Sequence, residues 1–389
     1  VKVFNPVRAC FVLSLLPVSL LVASPSFAKD TGYLFVSSEK DNNISVLDAK
    51  TFEVVKRIGT AARPRHLQFS PDRSKIYAAC GDGAAIDVID VAKLELVDRI
   101  AGIEDPELFD ISADGKTLYI SLEDDGALGI LNLDEYFAKR GDKPDLSVAE
   151  PAPPGETSEA EDDKADDDAE KDAEKEDAKE DEEKAGEDDD AAAIPGLKTV
   201  EVGEEPEGIL LSPDGKTAYV TSEVANTVHV VDTASGEMKA NIVVGNRPRR
   251  FAMTPDQKEL WVTNEISGEV TIIDPATNKL TQTIKFQPKG FREEDVTPVG
   301  ITMSSDGKTV IVGLGGANHI AFVDVASHEI QDYVLVGKRA WNVTFNRDNS
   351  LLYVANGLSD DLSVVDVASR KVVKSVPVAR VPHTVLIDD

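Results

Sequence analysis

Seven short stretches of this sequence place chemically active side chains at the same point of a shared frame. Aligned as RPRHLQF (63–69), DPELFDI (105–111), EPEGILL (205–211), RPRRFAM (247–253), TPVGITM (297–303), RAWNVTF (339–345) and VPHTVLI (381–387), they bring Arg65, Glu107, Glu207, Arg249, Val299, Trp341 and His383 to one position. The next position holds His66, Leu108, Gly208, Arg250, Gly300, Asn342 and Thr384. Guanidinium and imidazole groups gathered in this way would grip an oxyanion through charge-assisted hydrogen bonds, on a chain whose net charge of −30 otherwise repels anions. The expected ligand is a small carboxylate or an acidic partner surface, with Trp341 as a stacking wall. Hydrolysis at the same place would need a general base of perturbed pKa, for which Glu107, Glu207 and His383 are the candidates. Spacing reveals no triad, so no catalytic residue is assigned. The expected binding site comprises Arg65, His66, Glu107, Glu207, Arg249, Arg250, Trp341, Asn342 and His383.

Two further sets of charged residues recur. Glu39, Glu123, Glu223 and Glu265 end one strand of their units; they either pair with Arg63, Arg247 and their neighbours or contribute to ligand binding. Asp48, Asp90, Asp232, Asp274, Asp324 and Asp366, with Asn132 in the remaining unit, end another strand. Each belongs to a different unit, so they ring a rim instead of converging, and an Asx turn closing the next hairpin accounts for them. No metal site is expected.

The elements that carry these residues repeat. Phe35, Tyr77, Tyr119, Tyr219, Trp261, Ile311 and Tyr353 each open an apolar strand, with spacings of 42, 42, 100, 42, 50 and 42. A period near 40–45 made of short alternating strands is that of a β-propeller blade, and the 3.6-residue apolar period of helical repeats is missing. The unit at 208–244 reads as four strands, GILLS, TAYVTSE, TVHVVD and MKANIVV. Its first turn, SPDGK, combines proline for a fixed φ with glycine for a positive one, a type I turn with a glycine bulge. Units lacking strand one at the start (YLFVSS) and supplying it at the end (HTVLIDD) predict an all-β, seven-bladed propeller closed by N- and C-terminal strands in one blade. Since strands reverse direction, the links between blades and the turns from strand two to strand three share one face. The aligned residues then lie at the mouth of the central channel, basic around Trp341, His383 and Arg65 and acidic around Glu107 and Glu207.

Two insertions interrupt the period. The longer, 138–195, falls between strands three and four of the third unit and should leave the face opposite the mouth. From Glu156 to Asp190 it carries 21 acidic residues against 5 lysines with no aromatic residue, a composition that builds no core and predicts a disordered acidic segment. The shorter, within FQPKGFREEDVTP (286–298), overhangs the mouth and is placed to close over Trp341. Residues 1–28 read as a secretory signal peptide: Lys2 and Arg8 precede an apolar run, and Ser26 and Ala28 fit a cleavage site after Ala28. The propeller then occupies 29–389, periplasmic and without a membrane span after cleavage. Cys80 alone remains, without C-x-x-C-H, so neither a disulfide within the chain nor covalent haem is available. The net charge excludes nucleic acid as a partner.

The strings AYVTSE, LWVTNE and LYVANG, each followed by an apolar strand ending in Asp, resemble the YVTN-type β-propeller repeat. More closely, GYLFVSSEKDNNISVLDAKTFEVVKRI with RPRHLQFSPD and VPHTVLID resembles the exported propeller family associated with PQQ-dependent (pyrroloquinoline quinone-dependent) alcohol catabolism. That resemblance implies a non-catalytic periplasmic binding or scaffold propeller beside a quinoprotein dehydrogenase or cytochrome; the acidic insertion departs from the family pattern. Similar rings occur in the haem d1 domain of nitrite reductase and in quinoprotein amine dehydrogenases. The competing reading is an enzyme, either a lactonase-like hydrolase or a haem d1-type redox protein. No cofactor is expected under the first reading. Under the redox alternative a haem or quinone would be held by His66, His383, Arg65, Arg249 and Arg250.

Overall fold

The computed structural model describes residues 1–2, 30–151 and 193–389. The expected leader, apart from residues 1–2, and the acidic run 156–190 lie outside the described residues. Among the described residues, twenty-eight strands form seven four-stranded antiparallel sheets, one per blade. The first blade is assembled from both ends of the chain, in the order Pro382–Asp388, Tyr33–Ser38, Asn43–Asp48, Val54–Gly59. The second to seventh blades follow in sequence, so the chain is a seven-bladed β-propeller. No helix among the described residues is long and apolar enough to cross a membrane.

Packing explains the strand sequences. Second and third strands are covered on both faces by the neighbouring blades, and they read as nearly unbroken apolar runs such as Ile76–Cys80 and Val270–Ile273. Fourth strands lie at the perimeter, and Val54–Gly59 and Lys279–Lys285 each bury only an isoleucine. Between first and second strands, Gly115, Gly215 and Gly307 take φ near +69° in the expected turn. Arg73, Gln257 and Asn349 reach the same region without glycine. The recurring aspartates are Asx turns: Asp48 accepts from the backbone N–H of Lys50 (2.9 Å) and Thr51 (2.8 Å), and Asp232, Asp324 and Asp366 do the same in their blades. In the third blade Asn132 accepts instead from Glu135 N–H (2.8 Å) and N-caps a helix, Leu133–Lys139.

That helix changes the course of the long insertion. Leu133 and Tyr136 enter the core between the second and third blades, and Arg140 forms two hydrogen bonds to Asp98 (2.6 and 2.8 Å). The chain then runs along the outer strand of the second blade. Arg99, held by the buried Asp87, donates to the carbonyls of Asp145 (2.9 Å) and Ser147 (3.0 Å). Ala149 N–H reaches Thr60 O (2.9 Å), in a link between blades. The insertion thus leaves strand three on the expected face, but its flank climbs to the opposite one. Residues 138–151 are folded against the ring, because Arg99 supplies donors that backbone carbonyls of the flank satisfy.

Closure of the first blade joins residues more than 340 positions apart. Leu34 pairs with Ile387 and Val36 with Val385. The Asp388 carboxylate accepts from Thr31 N–H (2.8 Å) and from Arg73 Nε (3.0 Å) in the next blade. Removing 381–389 exposes one edge of Tyr33–Ser38 and uncovers Val36 and Leu34. The truncated protein is expected to aggregate or to lose its cooperative transition, measured by thermal unfolding with light scattering; unchanged melting would show that the ring holds without this strand.

Candidate functional site: the central channel

Each blade contributes its innermost strand to the channel: Pro64–Phe69, Pro106–Ile111, Pro206–Leu211, Pro248–Met253, Pro298–Met303, Ala340–Phe345 and Pro382–Asp388. Six of the seven open with proline, which gives up an N–H at the one strand position where no ladder partner awaits it. Immediately after, every inner strand carries a β-bulge against its second strand; Pro64 pairs with Cys80 and Leu67 with Ala78, leaving Arg65 and His66 opposite one residue. The two aligned positions of the sequence are this bulge pair, and a bulge re-aims its side chains.

Hydroxyl groups hold the bulges. Ser37 Oγ accepts from Thr384 N–H (3.0 Å) in its own blade and donates to Arg65 O (2.6 Å) in the next. Ser121 bridges Leu108 N–H to Glu207 O, Thr221 bridges Gly208 N–H to Arg249 O, and Thr263 bridges Arg250 N–H to Val299 O. The backbones approach so closely that a Cβ at Gly208 would clash with Arg249 O, and one at Gly300 with Trp341 O. The hydroxyls were missed by sequence reasoning, although the third letter of FVSS, YISL, YVTS and WVTN carries them.

The ring residues are sunk below the mouth. Glu107, Glu207 and His383 are at most 2% exposed, and Arg65, Arg249 and Trp341 are also buried. Arg65 is ion-paired with Glu107 across the boundary between the second and third blades. Arg249 contacts Glu265 (2.6 Å), Glu223 (2.9 Å) and Glu207 (3.2 Å), and Arg250 contacts Glu207 (2.5 Å). Arg63 pairs with Glu39 (3.4 Å) and Arg247 with Glu223 (2.7 Å), so both expected roles of the strand-ending glutamates meet in one network. The anticipated separation into basic and acidic halves is therefore bridged in the floor by cross-blade pairs.

Burial is the largest influence on these groups, and the network decides its outcome. Against the upward push of burial, Arg250, Arg249 and Arg65 hold Glu207 well below the ordinary carboxylate range, and Arg249 and Arg247 hold Glu265 down. Burial, with Glu207 nearby, raises Glu223 to about 7 although Arg249 pulls the other way. Burial and the Arg250 charge lower His66 to about 3, and burial with Arg65 and Arg250 pushes His383 well down. Both imidazoles are neutral at pH 7.

Unpartnered polar atoms gather here: the nitrogens His66 Nε2, His383 Nε2, Arg250 Nη2 and Arg65 Nε, and the oxygens Glu107 Oε2, Glu207 Oε1 and Glu223 Oε1, of which the last two lie within ion-pair distance of Arg249 without hydrogen-bond geometry. Trp341 Nε1 is likewise unpartnered; its ring lies 5.6 Å from that of His383 and beneath Arg339 (4.8 Å). Asn342 faces away from this set, its amide oxygen accepting from Val385 N–H (3.3 Å) across a blade boundary and from Thr344 Oγ1 (3.3 Å) on its own strand. The 286–298 loop does not close over Trp341. Phe286 and Val296 anchor it in the core shared by the fifth and sixth blades, and Phe291 packs edge-on against His319 (5.4 Å).

The class this architecture defines is the seven-bladed β-propeller with a polar, buried channel floor. Within it, residues 238–387 match the family described as "Lactonase, 7-bladed beta-propeller". No curated protein matches the sequence. Among solved structures the chain is similar to hydrazine synthase of Kuenenia stuttgartiensis, with a TM-score of 0.65 and 18% identity over 89% of this chain and 94% of that one. The periplasmic gluconolactonase PpgL of Pseudomonas aeruginosa gives 0.64 and 19% over 92% and 99%. The dihydro-heme d1 dehydrogenase NirN gives 0.61 and 18% over 95% and 78%. At this identity the likeness is one of fold.

The neutral histidines set the acid limit of the ring. Below pH 6.5 the unfolded chain protonates both while the folded ring resists down to about 3 at His66, so stability present above pH 6.5 is lost as pH falls. The slope is up to about 1.4 kcal/mol per pH unit for each histidine. Urea unfolding between pH 7 and 4 should show a slope shallower by about one proton in His66→Gln; an unchanged slope would mean that His66 is not held neutral.

Proposed function

We propose that the protein is an exported, non-catalytic binding propeller whose channel captures a small carboxylate or a carboxylate-bearing partner surface, in the service of PQQ-dependent alcohol oxidation. The observation that carries this reading is the buried, unpartnered Arg250 Nη2 at the channel floor, beside the His66 and His383 rings, whose unpartnered Nε2 atoms donate in one of their two neutral tautomers. Unsatisfied buried donors are costly, and an oxyanion would satisfy them. The carboxylates around them are engaged with arginines, so the floor offers donors where an anion needs them. The PQQ setting and the quinoprotein dehydrogenase or cytochrome partner come from the repeat resemblance. The Pseudomonas aeruginosa gluconolactonase PpgL is a periplasmic protein of the same fold, which suits export.

Arg249 and Arg250 have different duties. Arg249→Met leaves Glu207, Glu223 and Glu265 short of their shared cation and should cost about 3–5 kcal/mol of stability in denaturant unfolding. Arg250→Gln should instead weaken binding of lactate or gluconate about tenfold or more, with reduced salt dependence, and cost less stability than Arg249→Met, because Glu207 keeps Arg249 as its partner. Calorimetric titration at low and moderate salt checks this. Equal binding by Arg250→Gln and the unaltered protein would remove the channel floor as the anion site.

A lactone hydrolase is the second reading, favoured by the two neutral imidazoles with unpartnered Nε2 atoms beside an arginine. One imidazole would take a proton from water while Arg250 stabilises the developing oxyanion. Proton release from gluconolactone above the spontaneous rate, lost in His383→Asn and His66→Asn, would establish this activity over simple binding. A visible absorption band in the purified protein would favour the redox alternative.

A further inference from the structure

At one place in the ring the alternation of charge fails. Of the four glutamates that end second strands, Glu39, Glu223 and Glu265 each have an arginine in an adjoining link: Arg63 for Glu39, and Arg247 for Glu223 (2.7 Å) and Glu265 (3.7 Å). Glu123 is flanked in the same two positions by Asp105 and Glu205. Asp105, Glu107 and Glu123 bring one carboxylate oxygen each to within 4.8 Å of one another. Glu107 is fully buried; its Oε1 takes Arg65, and its Oε2 has no hydrogen-bond partner. Asp105 Oδ1 is a second buried oxygen without one. Asp105 and Glu123, but not the deeper Glu107, line a cleft of about 450 Å³ together with Asp124, Asp125, Glu201, Glu204 and Glu205 and no lysine or arginine.

We propose that Asp105, Glu107 and Glu123 form a site for a hard divalent cation of the Ca²⁺ class, occupying the place that an arginine fills beside the other glutamates. Oxygens around Ca²⁺ lie at about 2.3–2.6 Å, so ligands on opposite sides are separated by about 5 Å, which the observed span accommodates. The donor set is all oxygen, without imidazole or thiolate, which selects Ca²⁺, Mg²⁺ or Mn²⁺ over softer metals. The pairing of Pro106 with Leu122 in the first hairpin of the third blade brings the three carboxylates together, and the cleft leaves room for water to complete the coordination shell. The inference stands independently of the anion reading of the channel floor.

Calorimetric titration of the EDTA-treated full chain with CaCl₂ and MnCl₂ tests it, with an Asp105→Asn/Glu123→Gln double variant as reference, since the acidic run 156–190 contributes equally to both proteins. One saturable site is expected, with affinity in the micromolar to submillimolar range, falling at least about tenfold in the variant. In EDTA the variant should melt no lower than the unaltered protein, because the amides relieve crowding among like charges; in Ca²⁺ only the unaltered protein should gain stability. Binding identical in the two proteins, or only a weak unsaturable background in both, overturns the proposal. Should the variant fail to fold, crystals of the unaltered protein soaked in Mn²⁺ decide: an anomalous peak between the three carboxylates supports the site, and none there overturns it.

Discussion

The structure depends on the two-against-one bulge at the head of each inner strand. Seven sheets meeting around an axis crowd their backbones, and the bulge frees an N–H and a carbonyl at the point of greatest crowding. Ser37, Ser121, Thr221 and Thr263 satisfy both, taking the N–H of their own blade and giving a proton to the carbonyl of the next. A hydroxyl is the smallest side chain that donates and accepts at once. The same geometry ties neighbouring blades together and turns two consecutive side chains per blade toward the channel.

A floor built in this way must accommodate whatever charge the sequence places there. Removing carboxylates and guanidinium groups from water is tolerable only when each meets partners of opposite sign. Arg249 serves three glutamates, and Arg65 two, so much of the charge assembled at the ring positions is spent on holding the ring together. What is left over is therefore informative. Arg250 keeps an unpartnered guanidinium nitrogen beside the His66 and His383 rings, and carboxylates crowd together around Asp105 and Glu123. Two imbalances of opposite sign, in adjacent parts of one mouth, are the features of this scaffold least explained by stability.

The outer surface shows the same economy at longer range. Arg99 is anchored by Asp87 inside the second blade and reaches out to the carbonyls of Asp145 and Ser147. A segment with little apolar content is thereby fixed to the ring by one arginine and a few backbone hydrogen bonds. Ala149 and Glu150 consequently lie on the face that carries the channel mouth.

The sequence by itself determined the blade count, the strand phase, closure by the termini, the Asx turns and the alignment of the channel residues. These follow from local turn chemistry and from a period of 42, and each blade repeats the message. Tertiary structure alone decided what the aligned residues do. Arg65 could not be assigned to Glu107, or Arg249 to Glu223 and Glu265, because those partners belong to different elements and meet only when the ring closes. Asn342 occupies a ring position yet turns to a blade boundary, since its neighbour Val385 offers an N–H there. The 286–298 loop was misplaced over Trp341 because nothing local announces that Phe286 and Val296 are core residues. The carboxylate cluster of Asp105, Glu107 and Glu123 was written in the aligned links as DPELFDI, but its meaning is a matter of distance between side chains, which a linear pattern does not contain.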